Sequence, residues 1–336
     1  SYLVKQPADI PRVIREAYYE SPVYVPLVRR AYALWERLER ETGQALFRRT
    51  GGLMLGPPDG ALVTGSRRSA AEHNVPCEFL AAPEIRRRFP ALRPRDGEVG
   101  VLEPRAGFLD PEASVKGTLA LALKGGADLE FGVTVEGWDR KGDGLALRTS
   151  AGTIECGAAI LAAGPWAAGL LGDALPLSVE RQVMFWYRPA IDPARFAPDQ
   201  LPIFIWEHQA GRLFYGIPDD GAGVKVAGHH QGESASPDHI DRAVHPSEIA
   251  AMGEILRETI PDLVGPPVEA VACLYTNTPD HHFVLGALPH EPRLIVASPC
   301  SGHGFKFATV IGEVLADLAL TGTSEFDLTP FRPNRF

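Results

Sequence analysis

A strand, a glycine-rich turn and a helix near the carboxyl end constrain the fold of this chain more than any other feature. The apolar run L-I-V-A at 294–297 predicts a buried strand, and the turn S-G-H-G-F-K-F at 301–307 follows it. Apolar residues then recur at helical spacing, at Val310, Ile311, Val314, Leu315 and Leu318. The first turn of such a helix has free backbone N–H groups that favour an electron-rich ligand atom, and Lys306 adds a positive charge. The same pattern also occurs in purely structural loops, so the turn alone decides nothing.

Length and composition predict a globular enzyme of two domains. With 336 residues, 45% of them hydrophobic and 22% charged, the chain can bury a substantial core. A net charge of −9 argues against binding nucleic acid through a basic surface. No apolar run reaches the ~20 residues of a membrane span, and the first residues lack the pattern of a secretory signal. The four cysteines have no C-x-x-C spacing, so we expect a reduced, cytoplasmic protein without a metal site or a disulfide framework.

Residue periodicity predicts the secondary structure elements. Helices are expected at 27–38, 82–89, 110–124 and 247–260. Strands are expected at 53–55, 131–135, 145–149, 153–156, 182–187, 203–206, 213–217 and 224–227. The unbroken apolar run at 159–163, which is followed by Gly164, predicts a strand that is fully buried. The strand-rich stretch from 179 to 271 predicts a mainly antiparallel sheet.

Four further motifs accompany the glycine-rich turn. In chain order they are R-V-I-R-E-A-Y at 12–18, Y-G-I-P at 215–218, K-V-A-G-H at 225–229, and A-C-L-Y-T at 272–276 with D-H-H-F at 280–283. In this order and spacing, the five motifs resemble those of the monomeric sarcosine oxidase and N-methyltryptophan oxidase family. Members of this family are FAD-dependent amine oxidases of the D-amino-acid-oxidase type. The resemblance extends from about Arg12 to the last residue.

The resemblance implies an α/β (α+β, two-domain) fold, in which a Rossmann-like FAD-binding domain is interleaved with an antiparallel-sheet substrate domain. The expected FAD-binding domain comprises 1–47, 111–178 and 273–336, and the substrate domain comprises 48–110 and 179–272. Family members open with a G-x-G-x-x-G unit that holds the FAD pyrophosphate, and this sequence shows no such unit. Three explanations stay open: the sequence is part of a longer chain, a second polypeptide supplies the unit, or the protein has lost flavin. The first is favoured, because residues that would face flavin and substrate are retained.

Arg15 and Lys306 match the pair that binds the substrate carboxylate in the family. A guanidinium offers two parallel N–H donors to a carboxylate, and the lysine adds charge. No comparable acidic motif accompanies them, which predicts an amino acid anion as the substrate. The alternative for Arg15 is a surface ion pair with Glu16 or Glu20. Lys306 is flanked by two phenylalanines, and a lysine in an apolar wall calls for a buried anionic partner.

Lys225 and His229 match residues that act on oxygen and on the substrate. The resemblance places the lysine near flavin N5, where a positive charge would stabilise developing superoxide. Strand alternation directs Lys225 away from its two valine neighbours, and the alternative is a solvent-facing lysine on an edge strand. His229 has an ordinary pKa near neutrality, so it can bind the substrate or help set the protonation of its amine. Sequence alone does not separate it from His230; register favours His229.

Tyr215 and Tyr275 match tyrosines that line the substrate cavity, with buried core tyrosines as the alternative. Cys273 matches the position at which the family attaches its flavin covalently, and Cys300 is the weaker candidate. The other cofactor contacts implied by the resemblance are Arg12, Gly164, Gly302, His303, Gly304, Phe305 and Lys306. The segment 7–11 contains two prolines where the family has a polar loop.

The resemblance therefore predicts an enzyme that oxidises a small N-methylated or secondary amino acid to an imine. Electrons would pass from FAD to O2 and give H2O2. We expect a monomer, or a second chain that supplies the missing half, and neither nucleic acid nor a membrane as partner. The rival hypotheses are one half of a split or truncated oxidase, and a flavin-free remnant that acts as an interaction protein.

Overall fold

The computed structural model describes residues 10–336, so the beginning of the proline-containing segment at 7–11 lies outside the described residues. Its helices are α1 Tyr24–Thr42, α2 Ala61–His73, α3 Ala82–Arg88, α4 Pro111–Lys124, α5 Ala167–Leu171, α6 Pro246–Thr259 and α7 Ala308–Thr321. Its strands are β1 Arg12–Ile14, β2 Phe47–Arg49, β3 Gly52–Gly56, β4 Glu78–Ala81, β5 Val99–Glu103, β6 Gly107–Leu109, β7 Val135–Lys141, β8 Gly144–Thr149, β9 Gly152–Cys156, β10 Ala159–Leu161, β11 Ser178–Tyr187, β12 Ile203–Gln209, β13 Arg212–Ile217, β14 Val224–His229, β15 Glu233–Ser234, β16 Glu269–Asn277, β17 Val284–Leu288 and β18 Glu291–Ser298.

A nine-stranded sheet forms the largest layer. Its strand order is β15-β11-β14-β13-β12-β3-β5-β4, and β16 also pairs with β11. Every pairing in it is antiparallel except that of β12 with β3. Val224 and Val226 contribute to an apolar cluster that includes Met252 and Leu256 of α6. The expected mainly antiparallel sheet is therefore confirmed, with one parallel pair in it.

A second layer holds the glycine-rich turn. β10 and β18 pair in parallel, and β17 pairs antiparallel with β18. α7 packs on these strands and on α1, with Val310 and Val314 buried in a cluster that includes Val28 of α1. Because β18 ends at Ser298 and α7 begins at Ala308, the turn at 301–307 lies between the two, as its sequence predicts.

The ends of two helices form as the sequence predicts. Gly43 follows α1 with φ 69°, a left-handed conformation suited to glycine, and its N–H donates to Glu39 O at 2.8 Å. Asp110 caps α4, and its side chain accepts a hydrogen bond from Ala113 N at 2.9 Å. Pro111 occupies the first turn of α4, where its missing N–H costs no hydrogen bond.

Two strand predictions are wrong. The first strand of the meander is β7, at Val135–Lys141, and not 131–135. Gly132 has φ 73° and Phe131 is 67% exposed, so these residues neither continue a strand nor contribute to a core. The apolar run at 159–163 forms only β10, in which Ile160 is 43% exposed. Within residues 10–336, β10 is an edge strand that pairs on one side only, which is why it is not fully buried.

Candidate active site

A cavity lies where the large sheet, the segment that begins with β1 and the turn before α7 meet. Its walls are formed by Pro11, Arg12, Val13, Arg15, Tyr19, Glu20, Ile205, Tyr215, Lys225, His229, Gly302, His303, Phe305 and Lys306. Most of the residues singled out from the sequence thus meet in one place. Cys273, Tyr275, Gly164 and Gly304 are the ones that do not form its walls.

Lys225 reaches the cavity from β14, on the side opposite to its valine neighbours. The side chain is buried, and Nζ donates a hydrogen bond to Pro11 O at 3.0 Å. Nζ also lies 5.5 Å from the centroid of the Tyr215 ring and 5.8 Å from that of Trp186. Burial, and secondly the positive charge of Arg12, hold the pKa of Lys225 well below its usual value. The alternative of a solvent-facing lysine on an edge strand is wrong, because β14 lies between β11 and β13.

Arg15 forms an ion pair with Glu20, as the alternative to carboxylate binding predicts, but the pair is buried and not on the surface. Its Nη2 donates to both oxygens of Glu20 at 2.6 and 2.7 Å, and Nη1 donates to Ala17 O at 3.2 Å. The guanidinium lies over the rings of Tyr18 and Tyr19, 4.2 and 4.7 Å from their centroids. Nε is buried and has no hydrogen-bond partner within residues 10–336. One donor of Arg15 is therefore available to a ligand.

Glu20 lines the cavity beside Arg15, which corrects the expectation that no acid accompanies the site. Burial alone would lower the pKa of Arg15, but the charge of Glu20 raises it above its ordinary value. Glu20 therefore holds the guanidinium in its charged form. It stands five residues after Arg15 and has no periodic pattern that would have placed it in the cavity.

Lys306 belongs to a chain of hydrogen bonds. Nζ donates to His303 O at 2.8 Å and to Tyr18 Oη at 3.4 Å, and Tyr18 Oη lies 2.7 Å from His303 Nδ1. His303 Nε2 lies 3.2 Å from His281 O, which can only accept, so Nε2 carries the proton and Nδ1 accepts from Tyr18. Burial, and then the charge of Arg15, lower the pKa of Lys306 to about 7. An anionic ligand beside Lys306 would favour its charged form.

The segment from Arg15 to Glu20 is held from behind by β5 and α2. The carboxylate of Glu103, the last residue of β5, accepts hydrogen bonds from Glu16 N at 2.9 Å and from Ala17 N at 2.8 Å. Ser69 Oγ donates to Tyr18 O at 2.5 Å. Burial raises the pKa of Glu103 to about 7, although the backbone N–H groups oppose this shift. Sequence reasoning missed Glu103, because a single glutamate at a strand end carries no signal of this contact.

His229 and Tyr275 lie side by side at one end of the cavity. His229 Nδ1 is 3.4 Å from Tyr275 Oη, and their ring centroids are 5.8 Å apart. A Cβ at Gly302 would collide with the Tyr275 ring and lie 2.9 Å from His229 Cε1. With φ 77° as well, position 302 favours glycine on two grounds.

Cys273 lies on β16, partly buried, and packs against a small apolar cluster that contains Trp186 and Ala227. Burial raises the pKa of its thiol, and the nearby charges of Arg12 and Lys225 act in the opposite direction. Cys300 Sγ instead lies 2.9 Å from Ser298 Oγ. Cys273 is therefore the cysteine that shares the electrostatic environment of the cavity cations.

Besides Cys273, two further predicted cofactor contacts lie outside the cavity walls. Gly164 begins a short 3₁₀ turn after β10 and has φ 55°. A Cβ at Gly304 would collide with Pro299 O, so glycine is needed there for the path of the turn itself. Contact between these two glycines and a cofactor stays a prediction.

The flavin that the resemblance implies fits these walls. A flavin ring is planar and aromatic, and reduction places negative charge on it. Tyr215 and Phe305 offer aromatic surfaces, Arg12 brings positive charge, and the Lys225 amine lies in the same cavity, where a negative charge would favour its protonated form. Among the described residues, Lys225 Nζ donates one hydrogen bond, to Pro11 O, and Arg15 Nε has no hydrogen-bond partner. The part of the chain that is described contains no group of three or more His, Cys, Asp or Glu side chains that could hold a metal ion, and no helix in it is long and apolar enough to cross a membrane.

Comparisons with known proteins identify the relatives of this chain. The family model described as DAO, FAD dependent oxidoreductase, matches residues 11–318. The chain is 44% identical to monomeric sarcosine oxidase of Streptomyces avermitilis over 329 residues, which cover 96% of this chain and 86% of that protein. It is 35% identical to N-methyl-L-tryptophan oxidase of Salmonella enteritidis, with 97% and 87% covered.

The fold has solved counterparts. NikD, an unusual amino acid oxidase essential for nikkomycin biosynthesis, superposes in its open form with a TM-score of 0.81 and 25% identity. The match covers 98% of this chain and 87% of NikD. The α/β fold inferred from the sequence is thereby confirmed. The chain belongs to the DAO family of FAD-dependent oxidoreductases, and it is an FAD-dependent amine oxidoreductase of the sarcosine and N-methyl amino acid oxidase type.

Proposed function

We propose that this oxidoreductase converts a small N-methyl or secondary amino acid to an imine and reduces O2 to H2O2. The observation that carries the proposal is that two buried basic side chains, Arg15 and Lys306, line the same cavity. Lys225 and His229 line this cavity as well. FAD, when bound, accepts the hydride equivalent that leaves the carbon next to the amine nitrogen and passes electrons to oxygen.

Arg15 and Lys306 are proposed to hold the substrate carboxylate. The free Nε of Arg15 offers one charge-assisted hydrogen bond, and Lys306 Nζ adds a second donor. Glu20 opposes free movement of the guanidinium and keeps it charged. An amine without a carboxylate would leave the buried Arg15 Nε without a partner, which is costly in a buried site.

His229, Tyr215 and Tyr275 are proposed to act on the amine end of the substrate. Burial, and then the charge of His230, hold the pKa of His229 well below its usual value, so its ring is neutral and able to accept a proton. Tyr215 forms part of the cavity wall, and the hydroxyl of Tyr275 helps to orient the His229 ring. Such an arrangement supports removal of the amine proton before the carbon–hydrogen bond breaks.

Lys225 is proposed to assist the reaction with oxygen, because a buried ammonium would stabilise the negative charge that develops on O2. The proposed cofactor contacts are Arg12, Cys273, Gly164, Gly302, His303, Gly304, Phe305 and Lys306. A covalent bond from Cys273 to the flavin, a monomeric protein, a cytoplasmic location and the division into domains given above are parts of the same proposal.

Lys306→Met tests whether Lys306 binds the substrate carboxylate. Removing one partner of a buried charge pair costs about 2–5 kcal/mol of binding. We therefore expect the KM for an N-methyl amino acid such as sarcosine to rise at least about 30-fold. The turnover of the matching N-methyl amine without a carboxylate should change far less, since it never contacts Lys306.

Lys116→Met is the matched control, because Lys116 lies on the exposed side of α4, 3.5 Å from Glu112, away from the cavity. It should leave both reactions unchanged. Equal losses on the amino acid and the amine in Lys306→Met would show that Lys306 supports the fold or the cofactor. Wild-type protein that oxidises neither compound would reject the proposed substrate class.

A further inference from the structure

Three imidazole rings lie in a row from the cavity to the protein surface. His229 forms part of the cavity wall. Its ring centroid is 4.2 Å from that of His230, which is 4.3 Å from that of His281. His229 and His230 are only partly accessible, whereas His281 is exposed. At these spacings a ring rotation or one bridging water brings neighbouring nitrogens into hydrogen-bond contact.

The second and third histidines of the row, His230 and His281, have an unusual backbone conformation. His230 has φ 54° and His281 has φ 56°, in the left-handed region that residues other than glycine rarely adopt. Such strained conformations persist only where the surrounding structure fixes them, and they are frequent at functional sites. The two histidines come from different parts of the chain, one directly after β14 and one between β16 and β17. Their meeting is therefore a product of the fold and not of sequence proximity.

His230 also has a polar atom that the described residues leave unsatisfied. Its Nδ1 is buried without a hydrogen-bond partner, and it lies 3.6 Å from Glu180 Oε2. Glu180 instead accepts hydrogen bonds from Gly232 N and Asn277 Nδ2, both at 2.6 Å. A nitrogen in this position can take up a proton transiently, since the nearby carboxylate stabilises the charged ring.

We propose that His230 and His281 carry the proton of the substrate amine from His229 to solvent. The inference rests on the proposed function, in which His229 receives that proton. One N–H bond of the substrate ammonium breaks and one N–H bond forms on His229. The same charge then passes to His230, to His281 and to bulk water, so all three imidazoles return to their neutral state and no oxidant is needed.

The surroundings of the row keep His229 and His230 neutral at rest, while one carboxylate near each ring favours its charged form. The charge of Glu20 favours protonation of His229, whereas His303 and Arg15 oppose it. Glu180 favours protonation of His230 and His281 opposes it. Burial, and secondly the neighbouring imidazole, lower the pKa values of both His229 and His230.

Asp280, which precedes His281 in the chain, forms an ion pair with Arg335, whose Nε lies 2.8 Å from Asp280 Oδ2. The outer end of the row is therefore free to exchange with water. Two rings in the row that are protonated at once would repel each other, and each proton must leave before the next arrives.

The test uses His230→Asn and His281→Asn in the FAD-loaded protein. Asparagine tolerates the left-handed conformation, so the backbone is preserved at both positions. His290→Asn is the control, since His290 is an exposed histidine in the turn between β17 and β18. Flavin reduction by saturating N-methyl amino acid is followed without oxygen from about pH 6 to 10. Proton release is recorded in the same experiment with an indicator dye.

We expect His230→Asn and His281→Asn each to slow flavin reduction and proton release at least about tenfold at low pH. Their rates should converge with the wild type at high pH, where the substrate amine has already lost its proton. Added imidazole should restore the rate of His281→Asn, whose vacated position is exposed. His290→Asn should match the wild type throughout.

Slowing that is equal at every pH, or variants that match the wild type, would overturn the relay while leaving the proposed function intact. A wild-type protein that shows no reduction by any N-methyl amino acid would instead reject the proposed function, and the relay with it. If His230→Asn fails to fold, the exposed His281→Asn still decides, because its pH profile and imidazole rescue depend only on the outer step.

Discussion

At the scale of single residues, the site brings together several cations that water would normally solvate. Lys225 and Lys306 are both buried, and burial lowers the pKa of each. Their positions were predictable, because each lies in a motif whose order along the chain was recognised. The positions of the acids were less predictable: Glu20 was a possible partner of Arg15 but was not expected in the cavity, and no local pattern predicts the contact of Glu103 with the supporting turn.

Lys225→Met separates the two halves of the reaction. The substitution keeps a similar volume and removes the charge, so reduction of the flavin by substrate should be nearly unchanged. Reoxidation by O2 should slow about 10²- to 10³-fold, the usual effect of removing one electrostatic stabiliser. Stopped-flow measurement of each half-reaction distinguishes them. Slow reduction with normal reoxidation would contradict the proposed role.

Cys273→Ser tests covalent attachment of the flavin. Burial raises the pKa of the Cys273 thiol, but the charges of Arg12 and Lys225, which do not act on Cys300, oppose that shift and favour the reactive thiolate. Acid-precipitated wild-type protein should remain yellow, and Cys273→Ser should release the colour into the supernatant. Cys300→Ser serves as the control and should retain it. Colour retained by Cys273→Ser would move the bond elsewhere.

At the scale of elements, the turn from Arg15 to Glu20 depends on β5 and α2. Glu103→Gln replaces a carboxylate that accepts from two backbone N–H groups by an amide with one acceptor oxygen. We expect a higher KM for the N-methyl amino acid with little effect on the amine that lacks a carboxylate. The matched control is Glu98→Gln, near the other end of β5, where the side chain accepts from Arg95 N at 2.7 Å and Trp206 Nε1 at 3.2 Å. Equal effects of both variants would show a general loss of packing.

The same variant makes a prediction about pH and stability. Burial raises the pKa of Glu103 from 4.5 to about 7, so between these values the folded chain holds a proton that the unfolded chain has lost. This contribution to stability is complete below about pH 4.5 and is lost as the pH rises through about 7. It amounts to roughly 3 kcal/mol. Denaturant unfolding across this range should show a smaller decrease in Glu103→Gln than in Glu98→Gln. A decrease of the same size in both would contradict the assignment.

Elements with a strong local signal were predicted well, and edge elements were not. The periodicity of α1 and its terminal Gly43, and the N-cap at Asp110, are local and were visible in the sequence. β10 was predicted to be fully buried because its residues are apolar, yet burial depends on neighbours that are distant in sequence. The start of β7 was misplaced for a related reason, since pairing with β8 and not apolar content sets where the strand begins.

At the scale of the whole molecule, the sequence indicated an α/β fold with an antiparallel sheet but not the pairing of its strands. The pairing of β12 with β3 joins segments about 150 residues apart and, within residues 10–336, is the one parallel contact in the large sheet. Likewise, the row from His229 to His281 could not be predicted, because it forms only when β14 and the segment after β16 are brought together. Motif order indicated most of the residues that line the cavity, and long-range pairing determined how they meet.

The hydrogen bond between Lys306 and Tyr18 joins residues that are 288 positions apart. Contacts of such separation close late in folding, since the entropy of the intervening loop must be overcome first. During synthesis, the arginine-bearing turn leaves the ribosome long before its lysine partner exists. The proposed carboxylate site is therefore among the last features to be completed, and we expect a misfolded or truncated chain to be unable to begin the proposed reaction.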